Sequence, residues 1–354
     1  MVKGRRKVTY SENFSKNENA VIKRVLDRYN FNIISCKKAR SAYKVQTTDG
    51  NIFLKRFKHG RNKAENGSVL VEELAKNDFH NTAQFIKTKN DNLFVKYRKF
   101  FFYATEWING DECELSQIDE AHNCAKLLAE FHLAASKIDT KKIRIQNNLK
   151  NWPQIYRNKL YDLPKYEKII SKKKIKNDFD LTYMNNIENF YNTGLITLRI
   201  LNDSEYYRLS KKAEKEHTIC HNSFYYQNII KKENEYYIID LDSIIIDLQV
   251  NDLGKFIRRL MSKREYKWDF EKAKKIIEGY NSVNKLTKGE LKIMLALIIF
   301  PHKFWKLGRK RYIKYKNWSE QKYSHKLNKV IHNGELQQKF LEDYLKFLDS
   351  YTYE

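Results

Sequence analysis

Asn228, Asp240 and Lys55 are the residues of this chain whose types and settings best suit magnesium and phosphate chemistry. An amide oxygen and a carboxylate are hard ligands of the kind Mg²⁺ takes. A lysine on a strand presents a compact cation to a phosphate. Phosphoryl transfer asks for little covalent chemistry from a protein. It needs cations placed on the phosphates and a carboxylate that orients the attacking hydroxyl. Asn228 closes the loop His221-Asn222-Ser223-Phe224-Tyr225-Tyr226-Gln227, and Asp240 follows the apolar run Tyr237-Ile238-Ile239. Taken singly, an Asn in a loop and an Asp at a strand end are ordinary turn residues. The ordered set of His, Asn, hydrophobic strand and Asp is what gives them weight. Lys55 shares a strand face with Phe53 and Phe57 by the period of two, though a solvated lysine is the plain alternative in so basic a chain. Its partner carboxylate is expected on the next helix; Glu72 and Glu73 both qualify and the sequence does not choose, with Glu72 taken first.

Three further residues have simpler readings. Asp242 would share a face with Asp240 if the strand continued, as an additional carboxylate or spare ligand. Asp252, just before Leu253-Gly254-Lys255-Phe256, reads as a helix N-cap. His221 reads as a brace for its loop rather than a proton carrier.

The elements that must position these residues follow from periodicity. Ala20, Val21, Val25, Leu26 and Tyr29 give a helix within Lys16 to Asn30. Strands are expected at Ser41 to Thr47 and Asn51 to Phe57 around Asp49-Gly50, a hairpin signal. A helix around Val69 to Lys76 and strands at Leu93 to Tyr97 and Phe101 to Trp107 follow, and Ile108-Asn109-Gly110 reads as a junction. Beyond it Ile118, Ala121, Ala125, Leu128 and His132 mark one helix. A long helical region from Leu149 to Leu209 is broken by the charge run Lys172 to Lys176. A strand pair covers Asn228–Ile230 and Tyr236–Asp240. Leu291 to Phe300 is helical, and Lys303 to Lys326 is basic and aromatic. The division expected is a basic segment and helix over 1–30, a small lobe over 31–108 and a large one over 109–354.

Composition excludes several classes. At 354 residues with 42% hydrophobic content the chain can fill real cores, so disorder is not the default. Met1 to Phe14 shows no apolar core of a secretory signal, and the longest apolar run, Ile293 to Phe300, is too short to span a bilayer. A soluble protein made in a cytoplasm, with no membrane insertion, is the expectation. Cys36, Cys113, Cys124 and Cys220 are too scattered for a zinc site or disulfide framework and read as buried thiols. The net charge of +25 raises nucleic-acid binding, with Lys303, Lys306, Arg309, Lys310, Arg311 and Lys314 as a cluster. The lysines are spread along the whole chain and no recognition motif is evident, so no specific nucleic acid is expected.

The ordered set resembles the catalytic loop and metal strand of kinase-type phosphotransferases, in which Ser223 takes the position of the catalytic Asp. Thr218 to His221, Asn228-Ile229-Ile230, Tyr237 to Ser243, Asn251-Asp252-Leu253 and Phe256 to Arg259 together are similar to the CotS-type spore-coat proteins. These form a family of the aminoglycoside/choline phosphotransferase superfamily. Thr105 to Gly110, Leu128 to His132, and Phe300-Pro301-His302-Lys303-Phe304-Trp305 with Asn317-Trp318 extend the likeness over nearly the whole chain.

The resemblance implies an α+β, bilobal protein-kinase-like (aminoglycoside phosphotransferase-like) fold, with a small mostly β N-lobe and a large mostly α C-lobe. It implies ATP and Mg²⁺ as cofactors, Asn228 and Asp240 as metal ligands, Lys55 and Glu72 at the phosphates, and adenine contacts near Glu106, Trp107 and Ile108. It places the protein in the spore coat, made in the mother-cell cytoplasm, with other coat proteins as partners. Three departures count against full activity. Ser223 cannot orient or accept a proton as a carboxylate does; Asn222 replaces the glycine usual after the loop His. No glycine lies between Gly4 and Gly50, so Ser35 to Ala42 lacks residues that let backbone approach phosphates. A kinase-like structural coat protein is the leading expectation, with some of its 24 tyrosines exposed for assembly or cross-linking. An active phosphotransferase on a small alcohol, a sugar-like coat component or a coat-protein hydroxyl is the alternative.

Overall fold

The computed structural model describes residues 9–10, 15–39, 42–57 and 61–353. The chain divides into two compact units. One comprises Met1–Cys113, Glu130–Gln146 and Tyr225–Ile244; the other comprises Glu114–Ala129, Asn147–Phe224 and Ile245–Glu354.

The first unit is built on a seven-stranded sheet. Its order is Thr9–Tyr10, Ile33–Ala39, Ala42–Thr47, Gly50–Phe57, Phe100–Glu106 and Phe85–Ile86, with Val95–Tyr97 also paired to Phe100–Glu106. The predicted hairpin is present, but its two-residue turn is Thr48-Asp49. Gly50 already pairs with Thr47, at φ +132°, a conformation side-chain-bearing residues rarely adopt. Alternation along the strands buries Tyr43, Val45, Leu54, Phe102 and Ala104 on one face. The helix Lys16–Leu26, capped by the Ser15 hydroxyl accepting the Glu18 N–H, covers that face with Ile22, Val25 and Leu26. The helix Arg61–Lys76 is longer than periodicity suggested and buries Ala64, Leu70, Val71 and Leu74. The basic N-terminal segment lies mostly outside the described residues, as do Arg40 and Ser41 of the stretch where a phosphate-covering loop was sought. Strand pairing reaches Ala39 opposite Ala42, so that connection is very short.

A three-stranded sheet completes this unit: Glu235–Ile238, Ile229–Lys232 and Asp111–Glu112. The strand expected to end at Asp240 stops at Ile238, and Leu241–Ser243 is a helical turn. Its edge is held by the Asn81 side-chain amide donating to the Tyr236 carbonyl and the Ile238 N–H donating to the Asn81 carbonyl.

The second unit is helical. The predicted 149–209 region forms Trp152–Ser171, Asp178–Asn185, Ile187–Asn202 and Tyr206–Glu216, and the lysine run does break it. Lys173 pairs with the buried Asp180 there, and Asn177 caps the next helix. The apolar run Ile293 to Phe300 belongs to Lys288–Ile299, a helix buried on nearly every face and packed on Val250–Met261, Ile187–Asn202 and Glu320–Ser350. Apolar character all round is what a central helix requires. Among the described residues no helix is long and apolar enough to cross a membrane. All four cysteines are buried free thiols. Tyr161, Tyr207, Tyr226, Tyr315 and Tyr353 are exposed, as the assembly reading needs.

Gly110 is the one glycine on which the small sheet depends for close approach. A β-carbon there would overlap the Lys231 carbonyl oxygen and crowd Ile230. Overpacking against backbone typically costs about 1–3 kcal/mol. Gly110→Ala should therefore lower the thermal midpoint by several degrees, and an unchanged midpoint would show that the strand Asp111–Glu112 is free to move away.

Candidate functional site

Lys55 lies near the middle of the strand Gly50–Phe57, opposite Ala42 on one side and Tyr103 on the other. Its ammonium pairs with the Asp240 carboxylate and, at 3.2 Å, with Asp242. The Asp242 side chain is only 3% exposed, against 13% for Lys55 and 23% for Asp240, so one cation faces two carboxylates with little water to help. Burial alone would lower the Lys55 ammonium, but Asp242 and then Asp240 outweigh it and hold it above its ordinary value. Asp242 goes the other way: burial raises its carboxyl above the usual range despite Lys55, and the charge of Asp240 adds to the rise. Tyr103 donates to Asp242, and burial followed by these two charges pushes its phenol well up.

Asp240 adopts the left-handed conformation at φ 69°. An isolated Asp tolerates this better than most residues because its short polar chain bonds locally. The Ile239 N–H donates to the Asn228 carbonyl at 3.0 Å, which ties the two expected ligand segments together. Asn228 is buried and its own N–H is held by the Tyr225 carbonyl. The Asp240 and Asp242 carboxylates, with an Asn228 amide on the segment tied to Ile239, offer hard oxygens of the kind that fits Mg²⁺ rather than a thiophilic metal. Asn228, Asp240 and Asp242 would hold it.

Beside this cluster opens a cavity of about 460 Å³. Phe53, Val71, Phe85 and Ile239 supply apolar wall, and Glu106, Trp107 and Ile108 form one rim. The Glu106 N–H donates to Gln84 and the Trp107 N–H to Asn51, while the Ile108 N–H has no acceptor among the described residues. An apolar slot with a few backbone groups at its rim suits a flat heterocycle.

His221, Asn222 and Ser223 belong to the other unit. His221 is fully buried, and its Nδ1 accepts the Ser223 N–H at 3.2 Å, which leaves the ring proton on Nε2. It braces the loop, as expected. The stronger brace is Asp252, whose two carboxylate oxygens accept the N–H groups of His221 at 2.6 Å and Asn222 at 2.8 Å. The N-cap reading of Asp252 is thus corrected: the helix begins earlier, at Val250, and Asp252 spends its carboxylate on the loop. Asn222 sits at φ 63°, which explains why a glycine also suits this position, and Lys255 donates to its side-chain oxygen. Arg259 donates to the Phe224 carbonyl.

The expected partner of Lys55 is not found on the following helix. Glu72 points outward and is exposed, whereas Glu73 is buried in ion pairs with Lys76 and Lys142. Asp240 and Asp242 are nearer and already satisfy the ammonium. Sequence reading also missed the bracing role of Asp252 and missed Tyr103, which alternation along Phe100–Glu106 puts on the same side as Lys55.

Removing one member of a buried ion pair strands the others and typically costs about 3–5 kcal/mol. Lys55→Met should lose about 3 kcal/mol near pH 8 by denaturant titration. A carboxyl whose folded pKa is raised binds its proton more tightly in the folded state, so the deficit should shrink toward about pH 5. A loss independent of pH would mean that Asp240 and Asp242 do not share the cost.

The comparisons agree with this architecture. The spore coat protein S of Bacillus subtilis (strain 168) is 24% identical over 334 residues, which covers 92% of this chain and 94% of that protein. An aminoglycoside phosphotransferase from Alicyclobacillus acidocaldarius superposes with a TM-score of 0.84 at 17% identity, covering 93% of this chain and 96% of that one. Spectinomycin phosphotransferase APH(9)-Ia, solved in complex with ADP and spectinomycin, gives 0.60 at 16% identity, covering 90% and 98%. At these identities the superpositions establish a kinase-like aminoglycoside phosphotransferase fold. The profile of the family described as spore coat putative kinase YutH matches residues 22–344, and the chain belongs to that family.

Proposed function

We propose that this protein is a kinase-like component of the bacterial spore coat that binds a magnesium nucleotide but transfers phosphate poorly, and that it serves the coat mainly through its surface. The observation that carries the reading is a contrast. Lys55, Asp240 and Asp242 are assembled beside an apolar cavity with a donor-bearing rim, while the loop braced by Asp252 carries Ser223 at the position that the family resemblance gives to the catalytic carboxylate. A serine hydroxyl does not accept a proton near neutral pH as a carboxylate does. Loss of a general base removes roughly 10²–10⁴-fold in rate, about 3–5 kcal/mol of barrier.

The coat assignment is supported by the family and by the likeness to spore coat protein S. Exposed tyrosines and a net charge of +25 suit multivalent association with other coat proteins. A second reading, an active phosphotransferase on a small alcohol, a sugar-like coat component or a coat-protein hydroxyl, draws support from the retained Lys55, Asn228 and Asp240.

Turnover of ATP with a panel of small alcohols separates the two. The wild-type chain should be near background, and Ser223→Asp should raise turnover by roughly 10²–10⁴-fold. Substantial wild-type turnover that Ser223→Asp does not improve would overturn the proposal in favour of the active enzyme.

A further inference from the structure

A second cavity, of about 280 Å³, lies wholly within the helical unit. The segment Phe300 to Trp305, for which the nucleotide reading has no use, forms much of it. Arg258, Arg259, His302, Lys303 and Lys306 line it together with apolar walls such as Phe304 and Trp268, and no carboxylate is among its lining residues. Arg258 donates to the Leu297 carbonyl at 3.1 Å, yet among the described residues neither it nor Lys159, Lys303 or Lys306 pairs with a carboxylate.

His302 lies among the same cations. The Lys159 ammonium lies 3.2 Å from its Nδ1. An ammonium can only donate, so Nδ1 accepts and the ring proton resides on Nε2. That Nε2 is completely enclosed and has no hydrogen-bond partner. A buried donor left unmatched, among cations left unmatched, is unfavourable in a sealed protein. The surroundings register this: burial and then Arg258 depress the His302 imidazole well below its ordinary value. Burial and neighbouring cations hold Lys159 down at about 8.

We propose that this cavity is a binding site for a small oxyanion, a phosphate or carboxylate group carried on an apolar body. The oxyanion would accept from the Arg258 guanidinium and the lysines at the mouth, and the aromatic walls would cover the body. Lys303, Lys306, Val330 and Asn333 also line an adjoining groove with Lys310, Lys326, Lys329 and Trp318, which extends the positive field outward and would draw anions in. The site is independent of the nucleotide reading, because it shares no residue with the first cavity.

The test is calorimetric titration with phenyl phosphate at fixed ionic strength, with inorganic phosphate and phenol in parallel. Lys303 and Lys306 are exposed, so Lys303→Ala with Lys306→Ala should leave the fold intact. Lys211→Ala with Lys212→Ala, exposed on the helix Tyr206–Glu216, makes the same change of net charge away from the cavity. Saturable binding of phenyl phosphate, tighter than inorganic phosphate and absent for phenol, is expected. It should weaken about tenfold or more in the first double variant and stay unchanged in the second. No saturable binding, an equal loss in both variants, or binding only to a long polyphosphate that vanishes at modest salt would each overturn the proposal.

Discussion

One ammonium shared by two carboxylates is the constraint on which the first unit turns. A lysine inside a sheet and an aspartate as enclosed as Asp242 cannot each be left alone in a medium of low polarizability. Their mutual attraction ties the strand Gly50–Phe57 to the turn Leu241–Ser243, beside the cavity that Phe53, Tyr103 and Asp240 line. The left-handed backbone at Asp240 is where the chain leaves the strand and enters the turn that carries Asp242. A chain with no use for a cation site would gain by replacing such a cluster with apolar residues of like volume, which are often as stable or more so. Such a cluster is weak evidence for stability alone, which is why a ligand is proposed to use it.

The helical unit shows a complementary economy. Asp252 devotes both oxygens to the backbone of His221 and Asn222, and Arg259 holds the next turn, so the loop is built to a defined shape. On the proposed reading, a hydroxyl at Ser223 in place of a carboxylate would leave that frame standing and change what it can do. Fold and activity are separable in this way, and a kinase-like fold by itself does not make a phosphotransferase. The uncompensated cations around His302 make the same point from the other side, since that pocket has no counterpart in the nucleotide chemistry.

Much of this was legible in the sequence because it rests on local pattern. The hairpin, the capped first helix, the all-round apolar central helix and the break at Lys172 to Lys176 follow from periodicity and turn chemistry. The ordered His, Asn and Asp single out the loop and the strand end, and the structure ties Asn228 to Ile239 beside Asp240. What was not legible depends on tertiary geometry. Glu72 and Glu73 are neighbours in sequence with opposite fates, because a helix rotates by about 100° per residue and sequence alone does not say which face meets the sheet. Asp242 was read along a continuing strand, whereas the chain turns at Asp240. Asp252 reads as a cap because the N–H groups that donate to it, on His221 and Asn222, are far upstream and meet it only in the folded unit.

The central claim is that the first cavity and its carboxylates still form a magnesium–nucleotide site. Its most direct test is the thermal midpoint of the purified protein with ATP, with and without Mg²⁺, alongside Asp240→Asn. Ligand that binds the native state raises stability by RT ln(1 + [L]/Kd). The account predicts a magnesium-dependent rise in the wild-type protein that is lost in the variant. No shift at millimolar nucleotide, or a shift indifferent to magnesium and to Asp240, would contradict it.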